Sequence, residues 1–291
     1  MKPWVGLSLM PQEDFRQAAY PLFEQGEVDV LEWSIDMGWG EVPIPVWTKE
    51  LLDFYGDQRR LLGHSIGYSF LSAEWTHQQQ AWLMRLADEC RSRRYRRLSV
   101  HFGFMTAGSF RENTLLPVPQ TSGTLRTGSE GLRKLSEIAK IPIGLENLAF
   151  AFGQQDVRDQ GGFINDLLVA VEGFLVLDLH NLYCQMFNFR KTAVELLSGY
   201  PLERVCEIHV SGGSWSHPQS GGTAIPIRRD THDGPVPEEV FELSSEVLKL
   251  CPGVEAVIFE RLGDTLTNSE EITQFRKDYS RLREIVTNQK Q

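Results

Sequence analysis

Six side chains in this sequence have the types and spacing of a metal centre. His64, His101, Glu146, Asp178, His209 and Glu260 follow one another 37, 45, 32, 31 and 51 residues apart. Each stands at or just past the end of a short run rich in Val, Ile and Leu. Asp230 and His232 form a close pair before the last of them. Imidazole and carboxylate donors together suit iron, zinc or manganese, whereas magnesium and calcium take oxygen. One catalytic zinc uses three protein ligands. Eight candidates therefore exceed the needs of one ion and suffice for two, or for three with a bridging carboxylate. A lone His at a strand end is more often a hydrogen-bonded core residue than a ligand. A lone carboxylate there pairs with Arg or caps a helix as readily. Recurrence at successive strand ends is what favours ligation.

The elements that position these residues can be read from periodicity. Strands are expected at Trp4–Met10, Val28–Ile35, Leu61–Ile66, Leu98–Phe104, Ile141–Glu146, Phe174–Leu179, Val205–Val210 and Val254–Phe259. Continuous apolar runs of this kind belong to parallel strands buried on both faces. Amphipathic segments alternate with them at roughly Pro11–Glu24, Thr48–Tyr55, Ala73–Arg93, Ser129–Ala139, Phe163–Val171, Thr192–Leu197, Pro237–Leu250 and Ser269–Thr287. In the third of these, Trp75, Trp82, Leu83, Leu86 and Cys90 recur at helical spacing. Eight strand–helix units in under 300 residues predict an α/β fold, a (β/α)8 TIM-type barrel forming one domain over 1–291. A doubly wound sheet is the alternative, but no glycine-rich turn follows the first strand. Long loops are expected at 105–126, 150–162 and 211–237, all on the face where barrel active sites sit.

Composition narrows the function. The chain has 39 acidic and 29 basic residues among 291, a net charge of −10. That argues against nonspecific nucleic-acid binding. The basic run Arg91–Arg97 reads as a solvated helix end or a partner contact. No run reaches the roughly 20 apolar residues of a membrane span, and the N-terminus lacks the apolar stretch of a signal peptide. A cytoplasmic protein is expected. The four Cys (90, 184, 206 and 251) form no CxxC pair, hence neither a disulfide framework nor a zinc ribbon.

Several motifs occur in order: Gly63-His64-Ser65-Ile66-Gly67, Ser99-Val100-His101-Phe102-Gly103, Glu146-Asn147, Asp178-Leu179-His180-Asn181-Leu182-Tyr183, Glu207-Ile208-His209 and Asp230-Thr231-His232-Asp233-Gly234-Pro235-Val236-Pro237. In them the chain resembles the multinuclear non-haem iron-dependent oxidative enzymes, a group of xylose-isomerase-like barrels that includes the methanobactin-biosynthesis oxidase. The resemblance runs from about Gly6 to Leu262, and Asp230–Pro237 is its most specific part. It implies two or three irons in mixed Fe(II)/Fe(III) states, dioxygen as cosubstrate and a ribosomally made precursor peptide. Cys is the usual target residue, and a separate leader-peptide-binding protein presents the peptide. By motif, His64, His101 and Glu146 form one iron site. Glu146, Asp178, His209 and Glu260 form the next, with Glu146 bridging. Asp230 and His232 belong to a third, with a residue near Asn181. The chain departs from the pattern at Gly213, where many members have His. That puts the third metal in question. His180 or His217 are the available replacements, although His180 can equally face the helices.

Other mouth-side residues are expected to touch substrate. Arg126 and Arg261 suit a peptide carboxylate, and Arg261 could instead pair with a metal-site carboxylate. Trp33, Trp39, Trp47 and Trp215 either line a peptide groove or pack. Cys184 reads as a packing residue. Two other functions compete: a divalent-metal sugar isomerase or endonuclease of the same barrel group, and an idle peptide-binding subunit. The Asp230–Pro237 motif and the number of ligands favour the oxidase.

Overall fold

The computed structural model describes residues 2–40, 42–72, 75–104, 115–216 and 226–289. Eight parallel strands close into a barrel: β1 (Trp4–Leu9), β2 (Val30–Ser34), β3 (Leu61–Ser65), β4 (Tyr95–His101), β5 (Ile143–Glu146), β6 (Phe174–Asp178), β7 (Val205–Val210) and the strand Ala256–Phe259. Between the last two lies a short antiparallel hairpin of β8 (Trp215–Ser216) and β9 (Ile227–Arg228), so the closing strand is β10. It pairs with both β7 and β1. The helices around the barrel are α1 (Glu13–Glu24), α2 (Val46–Asp57), α3 (His77–Ser92), α4 (Ser122–Ala139), α5 (Gln154–Val169), α6 (Leu179–Phe189), α7 (Ala193–Leu197), α8 (Glu238–Leu250) and α9 (Ser269–Asn288). No described helix is long and apolar enough to cross a membrane.

Alternation along each strand decides what points inward. Outward residues such as Leu31, Leu61, Leu145, Leu175 and Ile208 pack under the helices in the main core. Inside the barrel, Val30, Leu62, Ala256 and Ile258 form a separate apolar cluster with Trp4 against it. The register then brings His64 beside Ser99, His101 beside Glu146, and Asp178 beside His209.

Each expected strand run overlaps a barrel strand, with shifted ends. The largest shift is β4, which starts at Tyr95 inside the basic run. Arg97 therefore does not sit on a solvated helix end. It is buried, and its Nε donates to Glu207 at 2.7 Å inside the barrel. Trp75 does not belong to α3: Thr76 caps that helix with a capping box to Gln79, and Trp75 precedes it, stacked under the Lys134 ammonium.

Two of the expected loops are partly helical. Over 150–162, α5 begins at Gln154. Over 105–126, α4 begins at Ser122 with Thr121 as its cap; residues 105–114 lie outside the described ones. The third, 211–237, holds the β8–β9 hairpin, and 217–225, including His217, lies outside the described residues. A helix unforeseen from periodicity, α6, follows β6 with no intervening turn because Asp178 caps it, its Oδ1 accepting from the Asn181 N–H.

The two glycines at 161–162 made α5 look like a loop. Gly161 is there for a close approach: an added Cβ would lie 2.4 Å from the Gly199 carbonyl oxygen. Gly161→Ala is expected to destabilise the fold by about 1–3 kcal/mol. A thermal melt will show it as a lower Tm; a Tm at or above that of the wild type would mean that this contact relaxes without cost.

Candidate metal centre

The six residues converge at one end of the barrel. His64 lies on β3, His101, Glu146 and Asp178 end β4, β5 and β6, His209 lies on β7, and Glu260 follows β10. Ligand atoms of His64, His101 and Glu146 all lie within 4.8 Å of one another, and so do those of Glu146, Asp178, His209 and Glu260. Glu146 belongs to both groups and turns a different oxygen to each. Its Oε2 is 3.5 Å from His64 Nε2 and 3.1 Å from His101 Nε2. Its Oε1 is 3.5 Å from His209 Nδ1, which also lies 3.3 Å from Glu260 Oε2.

These atoms meet without satisfying one another. Glu146 Oε2, Asp178 Oδ2, Glu260 Oε2, His209 Nδ1 and His101 Nδ1 are buried and have no aligned hydrogen-bond partner. Buried polar groups in this condition are costly. Burial and the neighbouring carboxylates Asp230, Glu146 and Glu260 hold the Asp178 carboxyl well above its usual range. Burial opposes the charged ring of His209, but Glu260 and Glu32, with further carboxylates, raise it well above the usual value. Burial also opposes ionised Glu146, which His101 and His209 nevertheless hold well below the usual range. His64 differs: burial and then His101 push it down to about 3, leaving a neutral imidazole. Unaligned donors and concentrated negative charge fit cations bound among them, and the mixed nitrogen and oxygen set fits iron, manganese or zinc.

Asp230 and His232 stand beside this centre. No group of three donors within the same span forms around them among the described residues. Asp230 Oδ1 is 2.9 Å from His232 Nε2 and 2.9 Å from His180 Nδ1, and His232 Nδ1 is 3.8 Å from Glu260 Oε2. His232 adopts a left-handed backbone (φ 51°), unusual for a non-glycine residue. His180 does not simply face the helices. Arg228 Nε donates to its Nε2 at 3.1 Å, so its proton is on Nδ1 and goes to Asp230. Gly213 makes room for this ring, since an added Cβ would lie 2.8 Å from His180 Cε1 and 2.3 Å from the Arg229 carbonyl oxygen. The Asn181 amide donates to the Asn147 carbonyl at 2.9 Å and leaves its buried Oδ1 without a partner.

The residues expected at the substrate fare differently. Arg261 is buried and bound to Glu271 at 2.5 Å and to Thr265 Oγ1 at 2.9 Å, which ties it to α9; no metal-site carboxylate is its ion-pair partner among the described residues. Arg126 is exposed in the early turns of α4. Trp215 is half-buried on β8, edge-on to Phe187 at 4.4 Å, with the Arg228 guanidinium over its ring. Trp33 is buried core, and Trp39 and Trp47 pack against it. Cys184 is fully buried, and burial pushes its thiol well up.

Sequence reading overlooked a third group, Glu32, Glu207 and His209, whose ligand atoms also lie within 4.8 Å of one another. Glu207 stands two residues before His209 on one strand, a spacing that places both inside the barrel.

A protein-family model described as "RiPP precursor modification enzyme MbnB/TglH/ChrH" matches residues 34–286. A UPF0276 protein of Rhizobium meliloti is 27% identical over 162 residues, 55% of this chain and 52% of the relative. One from Vibrio vulnificus is 26% identical over 196 residues, 67% of this chain and 65% of the relative. The chain thus spans about half the length of the first of these relatives. Among solved structures, endonuclease IV from Thermus thermophilus has a TM-score of 0.58 at 16% identity, covering 97% of this chain and 100% of that one. A xylose isomerase domain containing protein from Salmonella typhimurium has a TM-score of 0.60 at 14% identity, covering 97% and 98%. At such identities the likeness is one of fold.

Proposed function

Since the chain belongs to the MbnB/TglH/ChrH family of RiPP precursor modification enzymes, we propose that it oxidises a residue, Cys in the first instance, of a ribosomally made precursor peptide, using iron and dioxygen. The observation that carries this reading is the pair of donor groups sharing Glu146. His64, His101 and Glu146 would hold one iron; Glu146, Asp178, His209 and Glu260 would hold the other. Iron in such a site supplies one-electron redox chemistry and a place for dioxygen and a thiolate. The neutral His64 offers its lone pair without first losing a proton. Asp178 spends one oxygen on capping α6 and keeps Oδ2 for an ion. Asp230 and His232 lie above the pair, where a third ion would sit. The half-buried Trp215, on the hairpin that leads to Asp230, faces the incoming peptide. A second protein presents the peptide and raises its local concentration.

Protein purified without air is expected to carry at least two irons per chain. On aerobic incubation it should change the mass of its precursor peptide, faster with the presenting protein than without it. Elemental analysis and mass spectrometry check both. One tightly held zinc and no iron after ferrous reconstitution would overturn the oxidase reading and favour metal-dependent isomerase or nuclease chemistry. Full conversion by the barrel alone at low enzyme concentration would overturn the presentation step.

A further inference from the structure

The interior of a barrel is ordinarily filled by apolar layers. Val30, Leu62, Ala256 and Ile258 supply one here. Against it stand Glu32, Arg97 and Glu207, all buried. His209 Nε2 lies 3.1 Å from Glu32 Oε2 and 3.2 Å from Glu207 Oε1, on the side of the ring opposite Glu146 and Glu260. The other oxygen of Glu207 accepts from Arg97 Nε at 2.7 Å. Arg97 also reaches Glu255 Oε2 at 3.1 Å and the Cys206 carbonyl at 3.3 Å. Glu255 is held by Arg96 at the barrel's opposite end. A file of charged groups thus runs from beneath the ligand ring to the far rim.

We propose that Glu32 and Glu207 are positioning residues for His209. They fix its proton on Nε2 and turn the Nδ1 lone pair toward the metal site, and Arg97 anchors Glu207 through its other oxygen so that the carboxyl stays on the ring. This inference rests on the metal reading above. Folding alone gives little reason for the arrangement, since a buried ion pair is seldom more stabilising than apolar side chains of similar size. One ring N–H cannot serve two carboxyl groups fully, so the second carboxyl is more than a hydrogen bond to the ring requires. Glu32, Glu207 and His209 are poorly placed to bind a further ion of their own. Arg97 already holds one Glu207 oxygen, and His209 would have to give up the Nε2 proton.

Partners of this kind, in contact with a ligand and not with the metal, are typically worth 10–100-fold in metal affinity. The test uses the full chain, titrated with ferrous iron under anaerobic conditions and with cobalt(II) as a redox-silent spectroscopic probe. Glu207→Gln keeps the shape and removes the charge; Glu32→Gln leaves the Glu207–Arg97 pair intact and decides the matter if the first variant does not fold. The expected result is one of two ions bound about 10–100-fold more weakly, a changed cobalt(II) spectrum and a raised iron midpoint potential. Wild-type affinity, spectrum and potential in the folded variants would overturn the proposal, even if Tm falls, because a purely structural role predicts that combination. Failure of the wild-type chain itself to bind two ions would instead overturn the metal reading.

Discussion

Glu146→Ala is expected to lose both irons together and to lower turnover by a factor on the order of 1,000 or more, because a bound metal supplies several kcal/mol of transition-state stabilisation. The effect is large because Glu146 is the one residue common to both donor groups. Its two oxygens face opposite ways, Oε2 to His64 and His101 and Oε1 to His209. Removing it takes a ligand from each ion and the anion between them. Glu146→Gln keeps one oxygen but no charge, and should retain one ion at most. His232→Ala should keep both core irons, since its ring belongs to neither donor group and stands 3.8 Å from Glu260 Oε2. Iron analysis of the three variants, beside peptide mass spectrometry, separates these outcomes. A Glu146→Ala protein with the wild-type iron count would end the bridging assignment.

The barrel was readable because its parallel strands are continuous apolar runs, and the six donors were readable because they recur at strand ends. What was hidden lay where two local signals conflict. Arg97 sits in a run of arginines that looks solvated, yet Tyr95, Arg97, Ser99 and His101 alternate along β4, and that period of two turns Arg97 into the barrel. Helix α6 has no turn before it, because a carboxylate that reads as a ligand also acts as its cap. Glycines 161–162 read as a loop although Gly161 serves helix packing. Arg261 looked available because it follows Glu260 in sequence; its true partner, Glu271, is in the first turn of α9 and gives no sequence signal. His180 was ambiguous for a similar reason. Its partners Arg228 and Asp230 are about 50 residues away on the hairpin segment, and only the folded chain brings them to the two sides of its ring.

Loading the centre with iron is expected to release protons, and iron affinity to rise with pH by about tenfold per unit for each proton displaced. In the metal-free protein His209 is held protonated well above its ordinary value, and burial together with the carboxylates Asp230, Glu146 and Glu260 keeps the proton on Asp178. An ion that takes His209 Nδ1 and Asp178 Oδ2 must expel both protons. His64, already neutral down to about pH 3, contributes none. The same shifts fix the stability of the metal-free fold. His209, Asp178 and Glu32, the last raised by burial to about 8, all bind protons more tightly folded than unfolded. Their linkage therefore lowers stability as pH rises from about 6 to 9, against a smaller gain from His64, which is neutral in the fold and whose opposing contribution is complete a little above the ordinary imidazole range. The depressed carboxyls Glu146 and Glu207 are ionised in both states across that window and add no slope there; their contribution is lost only in acid, below the ordinary carboxylate range. Metal-free Tm should thus fall between pH 6 and 9, while the iron-loaded protein, its protons replaced by cations, should hold or gain Tm over the same range. Calorimetric titration in two buffers of different ionisation enthalpy counts the released protons. Iron binding that releases none, together with a metal-free Tm that rises toward pH 9, would show that the charge at the centre is balanced some other way.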